Sequence, residues 1–210
     1  MKIFDVSVPV SKNMISWPGD PSVELSKSVS IAKGDLCNVT NLCMGVHSGT
    51  HIDAPYHFIE SGDTVDAIDI ELLIGDCLVI EVDVQTTIEY EDIRSYNIHG
   101  YTKILFKTKN STFWKDDFFH KDFISLGMSA AKYLVENNIG LIGIDYLSIE
   151  SFNSKDASIH KFLLEKNVII LEGLNLANIK SGRYELICMP LKLIGTDGAP
   201  ARVVLKSLEN

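Results

Sequence analysis

The sequence lacks C-x-x-C pairs, and its only cysteines are Cys37, Cys43, Cys77 and Cys188. A chain of 210 residues can bury a core that needs no disulfide staples. We therefore expect four free thiols that are buried as small apolar side chains. Cys43 lies four residues before a histidine and is a possible soft metal ligand, but we favour a small buried residue on a strand.

Long apolar runs and an excess of positive charge are also missing. No run approaches the ~20 apolar residues of a membrane span, and the first residues, MKIFDVSVPVSKN, lack the apolar core of a signal peptide. The formal net charge of −9 disfavours nucleic acid and anionic lipid as partners. We expect a cytoplasmic protein that binds neither nucleic acid nor membrane, and small-molecule chemistry stays open.

No repeat, low-complexity tract or linker interrupts the chain, which predicts a single domain over residues 1–210. The first third has alternating or apolar segments typical of strands, and the rest alternates short apolar strands with helices. This order predicts a mixed α/β fold. The predicted helices are TIEYEDIRSY (87–96, with Thr86 or Thr87 as cap), SLGMSAAKYLVENN (125–138) and ASIHKFLLEKN (157–167).

Three histidines and an aspartate are crowded into VHSGTHIDAPYHF, residues 46–58, at His47, His51, Asp53 and His57. A helix is excluded because glycine, threonine and proline fill its interior and the glutamate of H-E-x-x-H is absent. In an extended chain the odd positions share a side. We expect His47, His51 and Asp53 to converge where the strand bends or ends, with His57 on a loop over them.

Imidazole and carboxylate are ligands that suit zinc, manganese or iron(II). A carboxylate can also bind two metals at once, which makes Asp53 the natural bridge if two are present. A lone strand histidine is usually a packed or exposed side chain, but four candidate ligands within eleven residues favour a metal site. We expect His99 and His120, in polar surroundings, to be surface residues.

The pattern His47-x-Gly49-Thr50-His51-x-Asp53-x-Pro55-x-His57 resembles the H-x-G-T-H-x-D-x-P-x-H signature of the cyclase family of metal-dependent hydrolases. That family includes bacterial kynurenine formamidases (arylformamidases) and isatin hydrolases. The resemblance covers nearly the whole chain and extends to SWPGDPS, GIDYLSIE, SIHKFLLEKNVIILEGLNL and YELICMPLKLIGTDGAPARVVL. It implies an α/β fold with a single mixed-sheet domain of the swivelling β/β/α type.

The resemblance also implies a metal centre with a divided ligand set. His47, His51 and Asp53 match the ligands of one metal, and Asp53 would bridge to a second metal held by His160 and Glu172. The implied cofactor is two zinc ions per chain, with manganese as the alternative. Glu172 ends an apolar strand, where an unpaired carboxylate is costly, and an edge position or an arginine partner is the alternative explanation.

Other residues receive roles from the same resemblance. His57 matches the general acid/base, and Trp17 matches an aromatic position that lines the substrate pocket or else packs in the core. We expect Asp145 to be structural. Glu150 replaces the family's common aspartate, which leaves its role open. Relatives imply a homodimer or homotetramer.

The function that follows is hydrolysis of a small amide by metal-bound hydroxide. The implied substrate is an aryl formamide such as N-formylkynurenine. One alternative is another cyclic amide or lactone, as in isatin hydrolases. A non-catalytic metal-binding protein is the alternative from a different class, although structural zinc sites are usually rich in cysteine.

Overall fold

Short apolar runs form the strands of the central sheet, because β-branched and aromatic side chains favour the extended backbone. A computed structural model describes residues 1–208. The strands are β1 (Ile3–Asp5), β2 (Glu24–Val29), β3 (Val39–Cys43), β4 (His51–Asp53), β5 (Ile74–Glu81), β6 (Thr87–Ile88), β7 (Lys103–Lys107), β8 (Ser125–Leu126), β9 (Leu141–Ile144), β10 (Ile169–Glu172), β11 (Gly182–Pro190) and β12 (Gly198–Ser207). The α-helices are α1 (Tyr90–Ile93), α2 (Met128–Glu136) and α3 (Ser158–Leu164), and the 3-10 helices are Ile31–Lys33, Pro55–His57, Val65–Ala67, Ile70–Leu72 and Lys109–Lys115.

Eight strands form one mixed sheet in the order β1-β12-β11-β5-β7-β9-β10-β4. Strands β5, β7, β9 and β10 are mutually parallel, and the other pairings are antiparallel. Strand β4 pairs with β12 as well as with β10, and this second pairing closes the sheet into a barrel. The predicted mixed α/β fold is confirmed.

Alternate residues of the central strands pack on opposite faces of the sheet. On β7, Ile104 and Phe106 join the cluster that includes the buried residues of α2 and α3, whereas Leu105 joins the cluster inside the barrel. On β4, Ile52 points into the barrel. His51 and Asp53 therefore lie on the outer face.

The predicted helices are confirmed for α2 and α3, with shorter bounds, but the first helix is a single turn. Thr87 and Ile88 pair with β8 as a strand instead. The cap is therefore Glu89, whose side chain forms a capping box with Asp92, and not Thr86 or Thr87. Among residues 1–208, no helix combines the length and the apolar character needed to cross a bilayer.

The predicted burial of all four thiols is wrong for two of them. All four cysteines are free, but Cys37 and Cys43 are exposed. Strands β2 and β3 form their own two-stranded sheet, and every residue of β3 is exposed. Cys43 is therefore neither a buried residue nor part of the histidine cluster.

Asp145 lies directly after β9 and accepts four hydrogen bonds in the core. The donors are the backbone N–H and the hydroxyl of Thr108 and of Ser111, at 2.7–3.1 Å. Burial raises the pKa of Asp145 to about 6, although these hydrogen bonds oppose the shift. The carboxylate therefore joins the loop after β7 to β9, which supports the structural role.

Replacing Asp145 by asparagine is expected to destabilise the protein by about 2–4 kcal/mol, because the new amide group would face hydrogen-bond donors. Urea unfolding at pH 7 measures this loss. The exposed Asp122→Asn serves as the matched control, expected within about 0.5 kcal/mol of the unmodified protein. Equal unfolding midpoints for both variants would contradict the structural role.

Candidate metal centre

The antiparallel pairing of β4 with β10 places His51 directly opposite Glu172. Cross-strand partners have their Cβ atoms about 5 Å apart. Nε2 of His51 lies 3.4 Å from Oε2 of Glu172 and 3.4 Å from Oδ1 of Asp53. All three side chains are buried. The pairing register of the two strands therefore brings His51, Asp53 and Glu172 together, and these three residues form the floor of the site.

His160 reaches the same floor from α3. Its Nε2 lies 3.3 Å from Oε1 of Glu172 and 3.7 Å from Oδ2 of Asp53. The backbone N–H of Ile149 also donates to Oε1 of Glu172, at 2.7 Å. The charge partners of Glu172 are therefore imidazoles and not an arginine, and the remote candidates lie beside the local cluster.

His47 and His57 lie outside the strand on either side of it. Residues 46–47 form a turn, and Gly49 reverses the chain with φ of 69°. Nδ1 of His47 lies 2.8 Å from Oδ1 of Asp53, and its ring stacks on that of His57 with centroids 3.9 Å apart. The segment is not an α-helix, as expected, but the extended backbone covers only residues 51–53. His57 ends the 3-10 helix Pro55–His57 instead of lying on the expected loop.

A close backbone approach holds this turn against β10. A Cβ on Gly173 would lie 1.9 Å from the carbonyl oxygen of Gly49, so no larger residue fits there. The hydroxyl of Thr50 donates to the carbonyl of Gly173 at 2.6 Å. The carbonyl of Gly49 in turn accepts a hydrogen bond from Nδ1 of His51, at 2.9 Å.

In the two inner histidines, His51 and His160, Nδ1 already forms a hydrogen bond within the protein. His51 donates from Nδ1 to Gly49, and His160 donates from Nδ1 to Oε2 of Glu150, at 2.8 Å. Such bonds fix the tautomer and leave Nε2 free for a metal. Glu150, whose role the sequence left open, therefore orients His160.

The donor set fits a divalent cation. Two groups of three could each hold an ion, namely His47, Asp53 and His57, and His51, Asp53 and Glu172, with ligand atoms within 4.8 Å of one another. Asp53 belongs to both. Its buried Oδ2 has no hydrogen-bond partner among the described residues, which is costly unless another group binds there. Only nitrogen and oxygen donors are present, as zinc or manganese accepts.

The buried histidines and carboxylates of the cluster strongly shift one another's pKa values. Burial by itself lowers the pKa of His51, but hydrogen bonds to Asp53 and Glu172 outweigh it and raise the pKa to about 10. Burial also lowers the pKa of His160, but hydrogen bonds to Glu150 and Glu172 outweigh it and raise the pKa to about 10. Burial raises the pKa of Asp53, but the charge and hydrogen bond of His47 hold it well below its usual value. Without metal, both inner histidines are imidazolium ions at neutral pH.

Zinc binding is therefore expected to release protons and to strengthen as pH rises above neutrality, because His51 and His160 must lose a proton to bind. Their raised pKa values also mean that the metal-free protein loses stability as pH rises from 6.5 towards about 10. Calorimetry of chelator-stripped protein in two buffers of different ionisation enthalpy counts the protons. An enthalpy of zinc binding that is the same in both buffers would contradict this expectation.

A cavity of about 270 Å³ opens over the cluster. Trp17, Phe58 and Leu147 line it together with the histidines and Glu172. Trp17 also packs edge-on against Phe119, with ring centroids 5.2 Å apart. Trp17 therefore belongs both to the cavity wall and to an aromatic cluster, so each of the two expected roles has a contact in the structure.

Sequence reasoning missed Asp197 and noticed Glu150 without giving it a role. Oδ2 of Asp197 lies 2.8 Å from Nε2 of His47 and 3.3 Å from Nδ1 of His57. The sequence around it, TDGAP, signals only a turn. Glu150 was visible only as a departure from a family pattern. Of the two outlying histidines, His99 is exposed as expected, whereas His120 is half-buried and stacks on Phe113.

Comparison with known proteins places this geometry among relatives. The family model described as putative cyclase matches residues 4–151. The chain is 33% identical to kynurenine formamidase of Bacillus cereus over 98% of this chain and 97% of that protein. It is 37% identical to cyclase-like protein 3 of Arabidopsis thaliana, over 97% of this chain and 79% of that protein.

Solved structures agree in fold. A protein described as a predicted metal-dependent hydrolase from Bacillus stearothermophilus superposes with a TM-score of 0.85 at 38% identity, covering 97% of both chains. Isatin hydrolase A from Labrenzia aggregata superposes with a TM-score of 0.85 at 21% identity, over 99% of this chain and 94% of that one. The second likeness concerns the fold alone.

Proposed function

The chain belongs to the cyclase family of metal-dependent hydrolases, and from that premise we propose that it cleaves an aryl formamide such as N-formylkynurenine. The observation that carries the proposal is the buried cluster of His51, Asp53, His160 and Glu172 at the base of an open cavity. A cysteine-free cluster with two carboxylates below a cavity favours a catalytic site over a closed structural one.

The residues that would hold the metal, two zinc ions or two manganese ions per chain, are His47, His51, Asp53, His160 and Glu172. Oδ2 of Asp53 has no hydrogen-bond partner among the described residues and lies 3.7 Å from Nε2 of His160, which supports a role for Asp53 towards both ions. A bound divalent cation supplies an acidic water at neutral pH and polarises a carbonyl group. The two carboxylates, Asp53 and Glu172, would balance the positive charge of the metal. The hydrogen bonds from Nδ1 of His51 and of His160 orient each ring so that its Nε2 faces the site.

His57 is the proposed proton carrier. Burial lowers its pKa, and the charges of Asp53 and Glu172 oppose that shift less than fully. This shift favours the neutral imidazole, which is able to accept a proton from the nucleophile. The same ring can then donate that proton to the leaving aryl amine, a transfer that typically contributes ~10²–10⁴-fold.

Aromatic side chains support an aromatic substrate. Trp17 and Phe58 line both the cavity over the cluster and an adjoining cavity of about 310 Å³ to which Phe152 also contributes. Large planar walls of this kind favour aryl groups through offset or edge-on packing. A homodimer or homotetramer and a cytoplasmic location remain part of the proposal.

A substrate panel tests the function. Chelator-stripped protein is reloaded with zinc or manganese and assayed on N-formylkynurenine, formanilide, isatin and an aryl lactone. We expect the highest kcat/KM for a formamide. Preference for isatin or the lactone would favour the ring-opening alternative. Stoichiometric metal with no turnover of any compound would favour a metal-binding protein and overturn the proposal.

A further inference from the structure

We propose that Asp197 is a positioning residue that fixes, with one carboxylate oxygen, which nitrogen of His47 and which nitrogen of His57 faces the metal centre. Oδ2 of Asp197 lies 2.8 Å from Nε2 of His47 and 3.3 Å from Nδ1 of His57. The two rings are stacked 28° from parallel, so one carboxylate oxygen hydrogen-bonds His47 and also lies beside a nitrogen of His57.

The backbone on both sides holds Asp197 in place. The N–H of Ala54 donates to the carbonyl of Asp197 at 2.9 Å, and that of Val65 donates to Thr196 at 3.0 Å. The next residue, Gly198, pairs with Asp53 on β4. A Cβ on Gly198 would lie 2.5 Å from Cε1 of His47, so the loop and the ring are in direct contact.

The consequence for each ring follows from imidazole chemistry. A neutral imidazole that donates from one nitrogen keeps its lone pair on the other. Nδ1 of His47 also lies 2.8 Å from Oδ1 of Asp53, so each nitrogen of this ring is held by a carboxylate. When Nδ1 loses its proton to bind a metal, the hydrogen bond from Nε2 to Asp197 keeps the remaining proton on Nε2. The charge of Asp197 at 3.3 Å from Nδ1 of His57 favours a proton on that nitrogen and leaves Nε2 as the basic nitrogen. One carboxylate thereby couples a proposed metal ligand to the proposed proton carrier.

The role towards His57 rests on the proposed function, but the role towards His47 does not. Removing an orienting carboxylate typically costs 10–100-fold in metal affinity or activity. The test compares Asp197→Ala and the nearly isosteric Asp197→Asn, with exposed Asp63→Asn on the neighbouring loop as the charge-matched control. Zinc affinity is measured by chelator competition, and imidazole tautomers by ¹⁵N NMR of the zinc-loaded protein.

For Asp197→Ala we expect zinc affinity to fall 10–100-fold and the Nδ1–H tautomer of His57 to lose its dominance. Asp197→Asn keeps an acceptor oxygen, so its loss of affinity should be smaller, and Asp63→Asn should match the unmodified protein. Unchanged affinity together with unchanged tautomers in Asp197→Ala would overturn the inference. Weakened zinc binding in a protein that hydrolyses no amide would sink the proposed function and leave the role towards His47 standing.

Discussion

Replacing His51 by alanine is expected to abolish metal binding and hydrolysis together. The side chain is 1% exposed and lies between Asp53 and Glu172, 3.4 Å from each. Its removal takes away a proposed ligand and leaves two buried carboxylates facing one another with less positive charge between them. The loss should exceed the roughly 10–100-fold that follows removal of an outer partner. Metal content after dialysis and turnover of N-formylkynurenine measure the two effects.

Exposed His99→Ala is the matched control for this variant, since it removes an imidazole that lies far from the cluster in sequence and on the surface. It should retain full metal content and turnover. Far-UV circular dichroism checks that His51→Ala is folded. A folded His51→Ala protein that still binds metal and turns over substrate at the unmodified rate would remove His51 from the ligand set.

His57→Ala is expected to retain metal and to lose turnover by about 10²–10⁴-fold, the usual contribution of a general acid/base. The ring lies at the wall of the cavity and not on its floor, and it is directed by Asp197. Its removal leaves the buried cluster of His51, Asp53 and Glu172 complete. Zinc affinity and kcat at saturating zinc separate the two properties.

Two results would contradict the role given to His57. Full turnover in His57→Ala would show that His57 does not carry the proton. Loss of metal would instead place His57 among the ligands, as the grouping of His47, Asp53 and His57 allows. His120→Ala, which removes a half-buried histidine outside the site, controls for general damage.

The second half of the fold was well predicted from sequence because each strand there is a compact apolar run. Helices α2 and α3 fall inside their predicted segments, and strands β7, β9 and β10 lie in the part of the chain where short apolar strands were predicted to alternate with helices. The first helix was overextended because Thr87 and Ile88 pair with β8, a contact that local pattern does not contain. The predicted burial of Cys43 was wrong for a similar reason, since β3 pairs only with β2 in a separate two-stranded sheet that local pattern does not specify.

The candidate site was predictable only in part. Four side chains were visible because they are crowded into one short segment. His160 and Glu172 were promoted by family resemblance, since alone each would pass for a packed histidine and a strand-end carboxylate. Asp197 was missed because its partners, His47 and His57, lie about 140 or more residues away in sequence. Such a contact depends on β4 pairing with β12, which no local signal specifies.

Titration of zinc into chelator-stripped protein, with formamide turnover followed at each addition, shows whether hydrolysis depends on two bound ions. We expect no turnover before zinc is added. Turnover should then rise with bound metal and level off at two ions per chain, with no such rise in Asp53→Ala. Full turnover by the stripped protein, or equal zinc uptake and turnover by Asp53→Ala, would contradict this dependence.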